Sequence, residues 1–345
     1  LEGNVLFAVY DGHGPYGHKC SNFAKEQLPR SISKYIQQER AQLHKELQSS
    51  SSDNTHALFN PRSWPMLTED ILQRSCSNAH HECNDLMKEK EPLSTLSGTT
   101  SISILFHNNL LTVCNVGDSR VVLGYKDDAT SRKSSKPTEK ILNDSVATKL
   151  VAIPLSRDQT GWREDERERV KKCGGRIMTI DQIEGRETVH EDFGDFDLGD
   201  FIDVARDPPR VWLKDEDKPG CAFTRSLGDS IGEKVGVIAD PEVFTKELTV
   251  EDKVLIIASD GVFEFLTNEK IIELCEKSDD PFEACKKIVN ESCNEWLKHE
   301  DRTDDITVIV LFLNHSPENS QTSESKENIF NFANVKKKAP RTKRI

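Results

Sequence analysis

The chain has 345 residues, of which 35% are hydrophobic and 30% are charged, and its formal net charge is −13. This negative balance argues against a surface that binds nucleic acid or an anionic membrane along the whole chain. No apolar run approaches the roughly 18 residues that span a bilayer, and no signal segment opens the chain. Nine cysteines are scattered singly, which predicts a reduced protein in the cytoplasm rather than a disulfide framework.

The first half of the chain predicts two helices and four strands. In chain order these are a buried strand before Asp11, a helix over 19–48 with a break or bend at Pro29, a helix over 68–90, and strands over 99–106, 110–116 and 120–125. The strands over 99–106 and 110–116 flank Asn108-Asn109, a pair of residues typical of a hairpin turn.

The second half predicts a charged surface helix that Gly174-Gly175 ends, a long acidic loop, and strands and helices of a core. In chain order these are a helix over 163–173, the loop over 181–207, a strand before Asp260, helices over 268–277 and 281–298, and a strand after Asp305. Because the strands pair locally and the helices come in blocks, the pattern favours an α+β fold with largely antiparallel sheets.

The predicted domain covers residues 1–314, with insertions near 49–66, 127–147 and 181–207. The Ser- and Glu-rich segment 315–345 predicts a disordered tail. Its basic end is either a nuclear import signal or a solvated tail. Since the chain starts at Leu1, almost on a strand, we expect its true N-terminus to lie upstream.

Three Asp-containing corners adjoin apolar strands, and they are the strongest functional signal. Asp11 and Asp260 each follow a strand, whereas Asp304 precedes one. Because the exit of one antiparallel strand adjoins the entry of its neighbour, all three carboxylates could share one sheet edge. A buried carboxylate is costly without a compensating charge, so the pattern predicts a shared metal cluster.

Glycines follow two of these aspartates. Gly12 and Gly261 have no Cβ, so their backbone can approach a ligand closely, and the Gly12 carbonyl could itself bind a metal. Oxygen ligands alone favour Mg²⁺ or Mn²⁺. Asp-Gly is also an ordinary turn dipeptide. A simple turn is the better explanation for any single corner, but a metal site is the better explanation for three corners that all adjoin apolar strands.

His13 follows Asp11 by two residues and would lie beside such a cluster. A histidine there is suited to proton transfer near neutral pH. A single histidine more often only completes a local hydrogen bond, so position alone does not decide its role.

Several segments together resemble the metal-dependent protein phosphatases, the type 2C serine/threonine phosphatases. They fall in the family's order over about residues 1–314 and look most like plant and protist members. The matching segments are Val9–Gly14, Ser97–Thr100, Asn115–Arg120, Cys173–Gly175, Phe223–Asp229, Ala258–Val262 and Thr303–Val308.

The resemblance implies a four-layer αββα sandwich of two mainly antiparallel sheets and a centre with two Mg²⁺ or Mn²⁺ ions. It implies that Asp11 bridges the ions, that the Gly12 carbonyl binds one, and that Asp260 and Asp304 bind the other. Asp118 matches a residue linked to a third, weaker metal site. His13 matches the proposed general acid in direct hydrolysis of phosphoserine or phosphothreonine by a metal-activated water.

The expected partners are phosphoprotein substrates, with no nucleic acid and no membrane, and we expect a monomeric domain. The family also takes a phosphate-binding Arg and an acidic ligand from a strand upstream of Asp11, where this chain has only ten residues. Two alternatives therefore stay open: a catalytically impaired pseudophosphatase, or a regulatory module of a larger kinase-containing protein.

Overall fold

The computed structural model describes residues 4–50, 67–90, 93–127, 149–200, 202, 207–313 and 330–337, with backbone alone at 47–50 and 330–337. The chain forms two compact units, which are described separately. The first comprises Leu1–Arg120, Ser156–Leu198 and Ala205–Glu247; the second comprises Val121–Leu155, Gly199–Val204 and Leu248–Ile345.

Helices and strands alternate irregularly along the described chain. The helices are α1 (Gly17–Ser50), α2 (Glu69–Lys88), α3 (Glu164–Lys172), α4 (Ile180–Ile183), α5 (Ser230–Glu233), α6 (Asp260–Phe263), α7 (Asn268–Glu276) and α8 (Pro281–His299). The strands are β1 (Asn4–Val9), β2 (Gly12–His13), β3 (Gly98–Thr99), β4 (Ser101–His107), β5 (Leu110–Val116), β6 (Arg120–Lys126), β7 (Leu150–Pro154), β8 (Arg176–Met178), β9 (Arg210–Trp212), β10 (Pro219–Cys221), β11 (Leu227–Gly228), β12 (Glu242–Glu247), β13 (Asp252–Ala258), β14 (Ile306–Leu313) and β15 (Phe330–Lys337).

The first unit contains an antiparallel sheet in the order β1-β4-β5-β12 and the helix pair α1 and α2. The α1 side chains that repeat every four residues form a buried stripe, which is the spacing of one helix face. They are Cys20, Ala24, Leu28, Ile32 and Ile36. This helix continues through Pro29, where a break or bend was predicted, and the buried residues on both sides hold it in place.

Helix α2 begins at the predicted position. The Thr68 side chain accepts a hydrogen bond from the Ile71 backbone N–H at 3.4 Å, so it caps the first turn. The β4–β5 hairpin also follows its sequence signal, since Asn108 takes the left-handed conformation with φ 54°.

Helix α3 packs beside the small sheet β10-β9-β8 of the first unit. It ends where predicted, with Gly174 at φ 83° after Cys173. The prediction of a surface helix is wrong for part of it, because Glu166, Arg167 and Val170 are buried. Charged residues within it pair with one another in the interior, and the sequence pattern does not reveal such pairing.

The second unit is built on one five-stranded antiparallel sheet, in the order β15-β14-β13-β6-β7. Strands β13 and β14 are continuous apolar runs because side chains on both faces are buried. Helices α6, α7 and α8 add apolar residues to this core, including Val262, Ile272 and Ile288.

Part of the predicted disordered tail forms structure. Residues Phe330–Lys337 form β15, which pairs in antiparallel register with β14 from Ile306↔Lys337 to Leu313↔Phe330. This pairing satisfies backbone N–H and C=O groups that an edge strand would otherwise expose. The polar composition around this short segment favours disorder, so its strand-forming residues do not produce a strand prediction. The remainder of 315–345 lies outside the described residues.

The α+β class with antiparallel sheets is confirmed. The acidic segment 181–207 begins within α4 and is then irregular over its described residues. Most of the insertions predicted near 49–66 and 127–147 lies outside the described residues, so those domain boundaries stay predictions. Among the described helices, none combines the length and apolarity needed to cross a membrane. All nine cysteines are free, in line with a chain without disulfides.

Candidate metal centre

The backbone of Asp11 is fixed at the end of β1 by two threonines. Its N–H donates to the Thr100 hydroxyl at 3.0 Å, and its carbonyl accepts the Thr100 N–H at 2.8 Å and the Thr99 hydroxyl at 3.0 Å. These bonds replace the strand pairing that ends at Val9. They hold a half-buried carboxylate at a defined place beyond the strand.

The Asp118 turn is tied to the same point. Thr100, which is only 2% exposed, also shares a hydrogen bond of 2.8 Å with the Ser119 hydroxyl. The Thr100 hydroxyl therefore connects the backbone of Asp11 with the residue that follows Asp118. The structure thus brings the Asp11 and Asp118 segments together within the first unit.

Gly12 must be glycine for a steric reason. A Cβ at this position would lie 2.3 Å from the Gly17 carbonyl oxygen at the start of α1. The close approach lets Gly12 and His13 form β2, which pairs with Gly98 and Thr99 of β3. The Asp11-Gly12-His13 corner is therefore held between a helix end and a short strand.

His13 does not stand alone. Its Nε2 lies 2.5 Å from Oδ2 of Asp229, whose side chain is 3% exposed, whereas the His13 side chain is 25% exposed. The Ser226 hydroxyl donates to the same Oδ2 at 2.6 Å, and the Phe223 ring lies 4.2 Å from the imidazole, centroid to centroid. No local sequence pattern predicts these partners of His13.

The second unit carries the other two carboxylates at neighbouring strand ends. Asp260 follows β13 and opens α6, while Asp304 lies two residues before β14. The Ser259 N–H donates to the Thr307 carbonyl at 3.1 Å, and the Thr307 N–H donates back to the Ser259 hydroxyl at 3.2 Å. The prediction that antiparallel pairing places these two corners side by side is confirmed.

The local packing at this corner is close. A Cβ on Gly261 would lie 2.5 Å from the Asp305 carbonyl oxygen, and the Gly261 carbonyl accepts the Trp296 indole N–H at 2.7 Å. Oδ1 of Asp260 is shielded from solvent, whereas Asp304 is exposed and its Oδ1 accepts the Asp305 N–H at 2.6 Å.

The expectation of one shared sheet edge for all three corners is wrong. Strand β1 belongs to the β1-β4-β5-β12 sheet, whereas β13 and β14 are neighbours in the five-stranded sheet. The pairing rule covers only strands that hydrogen-bond to each other, and β1 pairs with β4 rather than with β13 or β14. It holds for Asp260 and Asp304 but not for Asp11.

The donor atoms of these corners suit a hard cation. Asp11, Asp118, Asp260 and Asp304 offer carboxylate oxygens, and Gly12 offers a carbonyl oxygen. Magnesium and manganese prefer such oxygens. The Nε2 atom of His13 is engaged by Asp229, so this nitrogen does not compete as a ligand.

A different acidic group, Asp165, Glu166 and Glu242, also brings three carboxylates within 4.8 Å of one another. Arginines already neutralise it: Arg163 bonds to Asp165 and Glu242, and Arg225 bonds to Glu166. Burial would raise the pKa of Glu166, but hydrogen bonds and charge from its arginine partners lower it to about 2. This group is best explained as a structural ion-pair network.

The family model described as protein phosphatase 2C matches residues 2–300. The chain belongs to the protein phosphatase 2C family. It is 34% identical over 314 residues to the Arabidopsis thaliana protein named "Probable protein phosphatase 2C 35", and the match covers 90% of this chain and 75% of that protein. A second Arabidopsis thaliana protein, "Probable protein phosphatase 2C 65", is 27% identical over 318 residues, which cover 92% of this chain and 70% of that protein.

A solved phosphatase 2C structure shares the fold. The serine-threonine phosphatase 2C from Toxoplasma gondii superposes with a TM-score of 0.61 at 17% identity, covering 90% of this chain and 85% of that one. The predicted family and its plant-like character are confirmed. The predicted sandwich layering is consistent with this family fold.

Two further residues at the corner of Asp11 and His13, Thr100 and Asp229, were not singled out from the sequence. Both lie in segments that carried the family resemblance, yet neither has an isolated sequence signal. Thr100 acts through its hydroxyl on a backbone 89 residues away, and Asp229 meets a histidine 216 residues away.

Proposed function

We propose that this member of the protein phosphatase 2C family is a Mg²⁺- or Mn²⁺-dependent enzyme that hydrolyses phosphoserine and phosphothreonine in proteins. The observation that carries the proposal is the family match over residues 2–300. Oxygen-donor corners at Asp11-Gly12 in one unit and at Asp260 and Asp304 in the other support it.

In this proposal the Asp11 carboxylate and the Gly12 carbonyl, and likewise the carboxylates of Asp260 and Asp304, would supply oxygen ligands to Mg²⁺ or Mn²⁺. Asp118 would contribute to a further, weaker site. The carboxylates supply the negative charge that divalent cations require, and the fixed backbone of Asp11 limits the reorganisation needed for binding. When bound, the ions would activate a water molecule for attack on phosphorus and neutralise charge on the phosphoryl oxygens.

The contribution of His13 is proton transfer. The seryl or threonyl oxygen leaves as a strongly basic alkoxide unless it receives a proton as the P–O bond breaks. His13 is partly exposed and its ring is fixed on one side, so it is suited to give this proton. The proposal thus assigns binding to the aspartates and leaving-group protonation to His13.

The test is phosphate release from a phosphothreonine peptide with Mn²⁺ or Mg²⁺ and with an excess of chelator. We expect metal-stimulated release, no release with chelator, and a loss of at least about 100-fold in Asp260→Asn and Asp11→Asn, which remove charge from the proposed ligands. Asp301→Asn is the matched control because Asp301 is an exposed carboxylate near β14 outside the proposed ligand set.

Activity that persists with chelator, or that survives in Asp260→Asn, would contradict the proposal. Titration calorimetry with Mn²⁺ distinguishes an active phosphatase from a pseudophosphatase. A folded protein that binds neither ion and releases no phosphate would be the pseudophosphatase considered from the sequence.

A further inference from the structure

Asp229 is a buried carboxylate whose surroundings are arranged around a single imidazole. Its side chain is 3% exposed, and Oδ2 lies 2.5 Å from Nε2 of His13 and 2.6 Å from the Ser226 hydroxyl. A buried carboxylate needs compensation by hydrogen bonds or charge. The His13 ring and the Ser226 hydroxyl both supply hydrogen bonds to the same oxygen, Oδ2 of Asp229.

The backbone of Asp229 is held in an uncommon conformation. Its φ of 46° and ψ of 49° lie in the left-handed region, which non-glycine residues seldom occupy. Its N–H donates to the Ser97 carbonyl at 3.0 Å. Asp229 precedes α5 at the position where an aspartate normally caps a helix, yet its side chain makes no capping bond. The side chain is directed to His13 instead.

Gly98 leaves the space that this carboxylate occupies. A Cβ on Gly98 would lie 2.2 Å from Asp229 Oδ2 and 2.5 Å from the Ser226 hydroxyl oxygen. Gly98 is also the β3 residue that pairs with His13. The absence of a side chain at this position is therefore what allows Asp229 to reach the imidazole.

We propose that Asp229 is a positioning residue for proton transfer by His13. Its carboxylate accepts the Nε2–H and so fixes the ring, which leaves the Nδ1–H to be donated. In the step, the oxygen of a water molecule bonds to phosphorus as the P–O bond to the serine or threonine breaks. The proton on Nδ1 of the imidazolium forms the new O–H bond of the released serine or threonine, and His13 is left neutral with its Nε2–H on Asp229. The proposal rests on the phosphatase function proposed above.

The deciding experiment compares two substrates with different leaving groups. A phosphothreonine peptide releases an alkoxide that needs a proton, whereas p-nitrophenyl phosphate releases a phenolate that leaves without one. We expect Asp229→Asn to lower kcat on the peptide by about 10- to 100-fold with little change in KM, and to change kcat on p-nitrophenyl phosphate by less than about twofold.

The chain offers a matched control. His81 and Asp240 form another His–Asp pair in the first unit, at 2.6 Å, but both side chains are more than half exposed. Asp240→Asn should leave both substrates unaffected. Equal losses on both substrates in Asp229→Asn would show a merely structural role and would overturn the proposal.

A second measurement does not depend on turnover or on the folding of a variant. Nitrogen-detected NMR of the metal-free protein reports which ring nitrogen of His13 carries hydrogen. We expect a protonated Nε2; a bare Nε2 would overturn the proposal even if the enzyme were active. Conversely, a protonated Nε2 in a protein that hydrolyses neither substrate would support the pair while refuting the phosphatase function.

Discussion

The two units of this protein hold their aspartate-containing corners by different means. In the second unit, Asp260 and Asp304 lie at the ends of paired strands whose interior is apolar, and ion pairs of its helices such as Lys277–Glu273 lie at the surface. In the first unit, buried charges and hydroxyls carry much of the structure. Glu166 is 1% exposed and binds Arg169 and Arg225.

Because of this difference, the Asp260 and Asp304 corner is easier to predict from the sequence than the Asp11 corner. A corner between neighbouring strands follows from sheet pairing, which is a property of backbone and apolar pattern. The Asp11 corner depends on side chains such as Thr100 and Asp229 from distant segments. Its geometry should therefore be more sensitive to single polar substitutions.

The largest effect should come from breaking a buried ion pair of the first unit. Arg120 and Asp158 are 2% and 5% exposed and form a two-pronged pair with N–O distances of 2.8 and 2.6 Å. Asp158→Ala leaves the guanidinium buried without its carboxylate, so we expect a loss of about 4 kcal/mol in the free energy of unfolding. Urea denaturation measures it.

The matched change in the second unit is Glu273→Ala, which removes the surface partner of Lys277. We expect it to leave the denaturation midpoint almost unchanged. Similar losses in the two variants would contradict the contrast between buried and surface ion pairs.

The second unit should instead be sensitive to loss of apolar volume. Ile256 is fully buried in β13 and belongs to the core formed with α6, α7 and α8. Ile256→Ala should cost about 3 to 4 kcal/mol, because it removes buried methyl groups and leaves a cavity. Hydrogen exchange of peptides from β13 and β14 would report the opening, with Leu297→Ala, at a 61% exposed position of α8, as the control. Equal protection in both variants would argue against this core.

These contrasts also explain how far the sequence alone could lead. The apolar runs of β13 and β14, the capped start of α2 and the Asn108 hairpin follow local rules, so they were predictable. Local rules do not show which carboxylates are buried beside arginines, and for that reason α3 was expected at the surface.

The same limit applied to the candidate site. The ends of the apolar strands predict Asp11, Asp260 and Asp304, with His13 beside Asp11, but pairing rules wrongly put Asp11 on the same sheet edge as the others. The His13–Asp229 contact joins residues 216 positions apart. A contact of this kind arises only when several segments pack together, so no single stretch of sequence contains its signal.

The stability of the first unit should also depend on pH through a buried histidine, His80. Burial lowers the pKa of His80 from 6.5 to about 4, while its Nδ1 bonds to the Cys76 carbonyl at 2.8 Å. Between these pH values the unfolded chain takes up a proton that the folded chain excludes. Stability should therefore fall by about 3 kcal/mol as the pH drops from 6.5 to 4, and the contribution is fully present above 6.5.

Urea denaturation at several pH values, with His80→Gln beside the unchanged protein, isolates this contribution. Burial also lowers the pKa of His107, so that residue adds in the same direction and only the difference between the two proteins is diagnostic. An identical pH dependence in both would mean that His80 becomes protonated within the folded protein.

Smaller losses of stability should come from adding one methyl group to each corner. In Gly12→Ala the new Cβ would lie 2.3 Å from the Gly17 carbonyl oxygen, and α1 is held by its buried stripe, so β2 and His13 must move. We expect a loss of about 2 kcal/mol in stability and a lower kcat, because the His13–Asp229 contact is disturbed.

In Gly261→Ala the Cβ would lie 2.5 Å from the Asp305 carbonyl oxygen, but the adjoining Asp304 is exposed and this segment has room to shift. We expect a loss of about 1 kcal/mol in the free energy of unfolding. The main consequence should be weaker Mn²⁺ binding, because the proposed ligand Asp304 moves.

Calorimetry measures Mn²⁺ binding in the two variants, and kcat on a phosphopeptide measures their activity. Gly185→Ala, with no atom within 4 Å of its Cβ position, shows the effect of backbone strain alone. A kcat that Gly12→Ala leaves unchanged, although the new Cβ must displace the backbone beside His13, would contradict the assignment of proton transfer to this corner.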